Sequence, residues 1–308
     1  MENRLDGGRG GLDPETAIPP AAREAILDWY DARGRSLPFR GTRDPYAILV
    51  SEVMAQQTQI DRVGPKWSEF LATFPSVRAL AAASLADVLR AWAGLGYNRR
   101  ALNLWRAARV IVERHDGRLP DDVDALAELP GIGPYTARAV AAIAFGRAVG
   151  AIDTNVRRVV GRVAGAIGHD LQDLADAIVP ANRPADWTHA VMDVGATFCR
   201  STSPRCPECP VRTWCRHAAA PDGRPGGSGA RVPGRRSGGG PFHRTSRWLR
   251  GRILERARLA EGWTAFDGSI GDHDLDAVRA ALDAMAAEGL VELDSIGAGP
   301  VRARLPLS

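Results

Sequence analysis

Three sets of residues in this chain have types and spacings suited to chemistry. The first is Glu52, in ILVSEVMAQQTQI (48–60). It is the only charged residue between Asp44 and Asp61, and Ile48, Leu49, Val50, Val53 and Met54 surround it. Desolvation disfavours a charged carboxylate, so an acid in this setting has its pKa pushed upward and holds its proton longer than a surface glutamate. The second is Asp153, which closes an apolar segment ahead of the basic run TNVRRVVGR. Taken alone, an aspartate there is first of all a helix N-cap, and Arg157, Arg158 and Arg162 read equally well as a solvated face. The third is four cysteines within seventeen residues, Cys199, Cys206, Cys209 and Cys215, spaced C-x6-C-x2-C-x5-C. That local spacing points to a metal site. Zinc usually takes two close pairs and only one C-x2-C is present, so an iron-sulfur cluster and zinc both stay open on the chemistry.

A fourth signal is backbone rather than side chain. In LAELPGIGPYTARAVAAIAFG (126–146), Gly131 and Gly133 allow a tight turn between two helices, the second starting near Tyr135. Such a turn exposes amide groups at the positive end of a helix dipole, a site suited to phosphate, although a lone G-x-G also fits an ordinary helix-helix turn.

The elements that must position these groups are helical. After a Gly- and Pro-rich stretch, 1–20, expected to lack structure, the pattern turns helical from Ala21. Asp44 and Pro45 start the helix that carries Glu52. Further helices are expected near 65–73, 85–93, 99–114, 123–129, 135–145, 154–164 and 171–178, with Pro and Gly marking the short connections. A Gly/Pro/Arg linker, 218–245, separates these from a terminal module, 246–308. That module reads as two helices followed by a hairpin of LVELD and VRARLPL, a winged-helix-like α+β unit.

Composition narrows the partners. The chain has 308 residues, is 45% hydrophobic, and has a formal charge of +4 with a pI of about 9.1. Lys66 is the sole lysine, so its basicity is that of arginine, whose planar fork suits phosphate; arginine-rich codon usage gives the same bias. No long apolar run and no secretory leader occur in the sequence, and a cytoplasmic protein is expected.

Read together, VSEVMAQQTQ, GLGYNRR, LPGIGPYTARA, IDTNVRRV and the cysteine spacing, in that order, resemble the helix-hairpin-helix DNA glycosylases, most closely the MutY adenine glycosylases. The resemblance covers about residues 21–217 and implies a mainly α, two-lobed fold with a 4Fe-4S cluster on the four cysteines. It implies a monomeric, nucleoid-associated enzyme acting on duplex DNA with a mismatch or oxidised guanine. Adenine opposite 8-oxoguanine or guanine would be excised. In such enzymes the glutamate matching Glu52 protonates the flipped base, a task that needs a raised pKa. The aspartate matching Asp153 stabilises the oxocarbenium-like sugar, with Tyr135 and Asn155 supporting it. The resemblance also gives Gln57 the gap left by the flipped base and Tyr97 a wedge role, with Arg40, Gln56, Gly131, Gly133 and Arg157 at the DNA. Bifunctional relatives place a lysine where Tyr135 stands, so an intact strand with an abasic site is the expected product. Departures touch the base pocket: Phe39 and Ala55 replace a usual Trp and Leu, and His189 stands where Gln or Glu is usual. The Nudix-like reader of 8-oxoguanine is missing. A thymine or uracil mismatch glycosylase of the same fold, and a non-catalytic DNA-binding protein, are the competing readings.

Overall fold

The computed structural model describes residues 12–166, 170–219, 241–294 and 300–307. The chain divides into two compact units, each drawing on distant stretches of sequence. One comprises residues up to Pro45, Asp121–Val123 and Gly133–Val232; the other comprises Tyr46–Pro120, Asp124–Ile132 and Pro233–Ser308.

The first unit contains α1 (Pro14–Ala17) and α2 (Pro20–Arg33). Of the N-terminal stretch expected to lack structure, residues 1–11 lie outside the described residues. Asp13 caps α1, however, and Ala17 and Ile18 are buried in the core. The second unit takes over at α3 (Pro45–Ala55), which starts at the expected proline. It continues with α4 (Ile60–Thr73), α5 (Val77–Ala82), α6 (Leu85–Ala91), α7 (Arg99–Arg114) and α8 (Val123–Ala127). Ser76 and Ser84 cap α5 and α6 by accepting amide hydrogens, so these short helices begin where the serines stand. Phe70 is the centre of the core here, edge-on to Phe74 at 5.0 Å and to Trp92 at 5.8 Å.

The chain returns to the first unit with α9 (Pro134–Phe145), α10 (Thr154–Ala164), α11 (Gln172–Ala177), α12 (Pro184–Thr197) and the short α13 (Arg216–Ala219). Helices α9 and α10 end at Gly146 and Gly165, whose φ of 66° and 68° close the last turn in the left-handed region that glycine adopts without strain. The apolar faces of α2, α10 and α12 form the core, with Val159, Val160, Trp187, Val191 and Val194 buried. Asp193 is buried with them. Both of its oxygens are held by the guanidinium of Arg40, at 2.8 Å each, and Arg35 adds its backbone amide and side chain. Burial alone would raise the pKa of Asp193, but these charged donors outweigh it and hold the carboxyl below its usual range.

The expected linker falls largely on 220–240, outside the described residues. Beyond it lie α14 (Ser246–Leu259), β1 (Thr264–Phe266), α15 (Leu275–Glu288), β2 (Glu292–Asp294) and β3 (Val301–Arg304). The expected hairpin strands pair, but β3 is also paired with β1, giving an antiparallel sheet of order β1-β3-β2. This segment belongs to the second compact unit. The Ala86 amide at the start of α6 donates to the Pro306 carbonyl at 3.0 Å, and Arg258 of α14 donates to the Asn98 side chain at 2.6 Å.

Candidate active site and DNA-facing loops

In the second unit, α3 buries every side chain from Tyr46 to Met54 except Glu52, which is half-buried. One carboxyl therefore interrupts an otherwise apolar helix, as the sequence suggested. Two loops follow, each with a residue in the left-handed region: Gln57, exposed after α3, has φ 53°, and Tyr97, before α7, has φ 45°. Neither is glycine, and each such conformation costs on the order of 1–3 kcal/mol unless its surroundings hold it.

Arg100 holds both loops, a role the sequence did not reveal. One terminal nitrogen donates to the carbonyls of Val53, Met54 and Gln56 at 2.7–2.8 Å. The other donates to Thr58 Oγ1 and to the carbonyls of Leu95 and Gly96. Desolvation pulls its pKa down to about 10, so it remains a cation at neutral pH. Nothing in NRR announces this; only the fold shows that two loops about forty residues apart in the chain converge on it.

The helix-hairpin turn is also built as expected. Gly131 has φ 76°, and a Cβ there would lie 2.5 Å from the Asn103 side chain, so glycine is required twice over. Gly133 precedes α9 and caps it without a side chain, and its carbonyl accepts from the Ala137 amide at 3.0 Å.

In the first unit Asp153 does cap α10, accepting from the Val156 amide at 2.6 Å. Its second oxygen accepts from Asn155 Nδ2 at 2.9 Å. Asn155 is fixed in turn: its Oδ1 accepts from Arg158 at 2.7 Å, and Gly195 lies so close that a Cβ there would meet Asn155 at 2.6 Å. Arg158 also donates to the carbonyls of Gly195 and Cys199. Arg162, one helical turn on, donates to the Arg200 carbonyl at 2.8 Å and meets the Cys199 sulfur at 3.4 Å. These two arginines are thus not a solvated face: they tie α10 to the cysteine loop. Arg157 is exposed. The Tyr135 hydroxyl on α9 contacts Met192 Sδ at 3.9 Å. Arg40, expected near DNA, is held by Asp193.

His189 lies on α12 with both ring nitrogens shut off from solvent and without a hydrogen-bond partner among the described residues. Burial, reinforced by the neighbouring Arg40, pushes its pKa down to about 3, so the imidazole is neutral. Tyr30 lies beside it, ring centroids 6.5 Å apart.

All four cysteines line one small cavity with Val159, Val194, Phe198 and His217. Burial, with repulsion from the other three sulfurs, pushes the Cys209 thiol up to about 11. Four thiolates converging on an apolar recess repel one another unless a cation-rich group is shared among them, so the donor set fits such a group. Among the described residues no three His, Cys, Asp or Glu side chains are arranged to hold a single metal ion.

A helical fold with a glycine hairpin, a lone acid in an apolar helix and a helix-capping aspartate defines a class. Residues 50–180 match the HhH-GPD superfamily of base excision DNA repair proteins. A thermostable thymine-DNA glycosylase structure aligns with TM-score 0.61 and 29% identity, covering 64% of this chain and 94% of that one. An endonuclease III–DNA complex, at 24% identity and TM-score 0.56, shares the fold. The adenine DNA glycosylase of Mycolicibacterium smegmatis is 41% identical over 88% of this chain and 93% of its own length. The human adenine DNA glycosylase is 42% identical over 66% of this chain and 40% of its own. The chain belongs to the adenine DNA glycosylase family. It is a DNA glycosylase of base excision repair, and DNA is its partner.

Proposed function

We propose that this enzyme releases adenine mispaired with 8-oxoguanine or guanine and leaves the strand intact. The observation that carries this is the match to adenine DNA glycosylases across nearly the whole chain, with an acid kept in the apolar helix at Glu52 and an aspartate at Asp153. Glu52 gives its proton to N7 of the extruded adenine. The N-glycosidic bond then breaks with its electron pair leaving on the base. Asp153, oriented by Asn155, stabilises the positive charge at C1′ until water adds there and returns a proton to Glu52. Tyr135 supports Asp153. His189, neutral and buried, has one donor and one acceptor nitrogen for the base. Gln57 and Tyr97 fill and wedge the gap, with Gln56 beside them, and Arg157 and the Gly131–Gly133 turn take backbone phosphates.

Cys199, Cys206, Cys209 and Cys215 would hold a 4Fe-4S cluster, whose contribution is to fix the loop rather than to move electrons, since the reaction needs none. Purified protein should be brown and contain iron; a colourless anaerobic preparation with stoichiometric zinc would reverse the assignment. The terminal helices and sheet act as a winged-helix-like module that adds DNA contacts. We place the enzyme, as a monomer, with the nucleoid in the cytoplasm. Among the described residues, no helix is long and apolar enough to cross a membrane.

The test is base release from duplexes carrying A, T or U opposite guanine and opposite 8-oxoguanine. Release of adenine alone is the expected result. Release of thymine or uracil would move the enzyme toward the thymine-DNA glycosylase whose fold it shares, and release of nothing would make it a DNA-binding protein.

A further inference from the structure

Within the second unit a groove of about 520 Å³ is lined by Gln57, Tyr97, Arg99 and Arg100 on one side and by Arg247 and Arg250 of α14 on the other. Arg247 is itself exposed, yet its guanidinium lies 3.9 Å above the Tyr97 ring and donates to the Tyr97 hydroxyl at 2.6 Å. The same guanidinium lies 5.8 Å from the ring of Phe242, which is also exposed. A second arginine of α14, Arg258, fixes the next residue, Asn98. The terminal module therefore grips two successive residues of the loop that holds Tyr97 in its left-handed conformation.

A cation stacked on an aromatic face is attractive by itself, and a hydrogen bond to the hydroxyl fixes the ring's direction as well as its height. An exposed tyrosine without such a partner samples several rotamers, and a wedge must be in one of them when DNA arrives; presetting it removes that ordering cost from binding. We infer that Arg247 is a positioning residue for Tyr97, contributed by the terminal module, and that the pair selects duplex DNA in which a base has been extruded. This rests on the reading of Tyr97 as the wedge. On the α14 wall the Arg250 guanidinium is held by Glu288 at 2.6 and 2.9 Å, which leaves Arg247 directed at the tyrosine; Arg100, engaged with the loop carbonyls, lies farther from the same ring, at 5.6 Å.

The experiment is a double-mutant cycle on the full-length protein, read as binding rather than activity. Two duplexes of one sequence are compared, one fully paired and one with a tetrahydrofuran abasic analogue opposite guanine. Arg247→Ala should weaken the abasic duplex about 10-fold relative to the paired one, within the range of removing one stacked aromatic. In a Tyr97→Ala background it should have no further selective effect. Arg256→Ala removes the same charge from the same helix and should lower both affinities alike. If Tyr97→Ala leaves selectivity intact, the wedge reading itself fails. If Tyr97→Ala abolishes selectivity but Arg247→Ala does not, or if the two losses add, the positioning role is overturned and Arg247 is a phosphate contact. Full rescue by Arg247→Lys would likewise overturn it, because an ammonium lacks the planar face and the fork.

Discussion

The carboxylate of Asp153 uses one oxygen for the Val156 amide and the other for Asn155, so capping and chemistry are not rival duties at this position. The two can be separated because asparagine is as good an N-cap as aspartate. Asp153→Asn should keep the melting temperature near wild type and abolish base release; a variant that merely melts lower and still releases base would leave Asp153 as a cap. Glu52→Gln keeps the shape of the side chain and removes the proton donor. Single-turnover release should fall by about 10²- to 10⁴-fold with duplex binding retained, and release near the wild-type rate would end the assignment of Glu52 as the acid. His189 makes a prediction about pH. Its folded pKa, about 3, lies below the unfolded value, so the unfolded chain binds the proton more readily. The stability this group contributes is complete above the unfolded pKa and is lost as pH falls through the region between the two values, at about 1.4 kcal/mol per unit. Denaturant titrations at pH 7.5 and 5 should show His189→Gln to be less acid-sensitive than wild type. Equal sensitivity would mean that the imidazole is not buried neutral.

Individual elements were legible where a local signal fixed them. Helices α7 and α10 run over the residues the pattern indicated, because their amphipathic faces and the Asp153 cap are contained in the segment itself. Strand β1 was missed for the opposite reason: Thr264–Phe266 is too short to show alternation, and its partner β3 is nearly forty residues away. The supports of the site were hidden in the same way. Asp193 in VMDVG looks like an ordinary acid near a helix end, and nothing local announces that Arg35 and Arg40, more than 150 residues earlier, are its partners. Arg100 and Arg158 both stand in basic runs, and their guanidiniums hold loops. Removing Arg100 strands several carbonyls at once, so Arg100→Ala should cost roughly 2–4 kcal/mol by chemical denaturation and impair selective DNA binding. Arg158→Ala frees Asn155 and with it Asp153. The rate of base release should fall by about 10-fold or more while DNA affinity holds, as expected when a reacting group is misplaced rather than lost. An unchanged rate would show that Asn155 is held well enough by Gly195 alone.

At the scale of the molecule, the terminal segment, expected as a module beyond a linker, groups in one compact unit with Tyr46–Pro120 and Asp124–Ile132. Its own core is built from Leu249, Ile253, Leu254, Phe266, Ile270, Val278, Leu282, Met285 and Leu290, and a module of about 60 residues rarely generates much stability alone. It is joined to the rest of the unit by the Ala86–Pro306 backbone hydrogen bond and by the Arg247 and Arg258 contacts to the Tyr97–Asn98 loop. A module on a loose tether could be deleted with no effect on what remains. Deleting residues 246–308 should instead lower the melting temperature of the remainder, by about 2–4 °C for each kcal/mol of stabilisation removed. The Tyr97 loop should become more accessible to protease or hydrogen exchange than α10, which belongs to the other unit. Because the deletion also removes many arginines, its DNA binding should become less salt-dependent, in proportion to the phosphates no longer engaged. Thermal melts and exchange of the truncated and full-length proteins decide the matter: identical melting and identical protection of the Tyr97 loop would restore the picture of an independent appendage, whereas loss of protection confined to that loop would establish the module as its support.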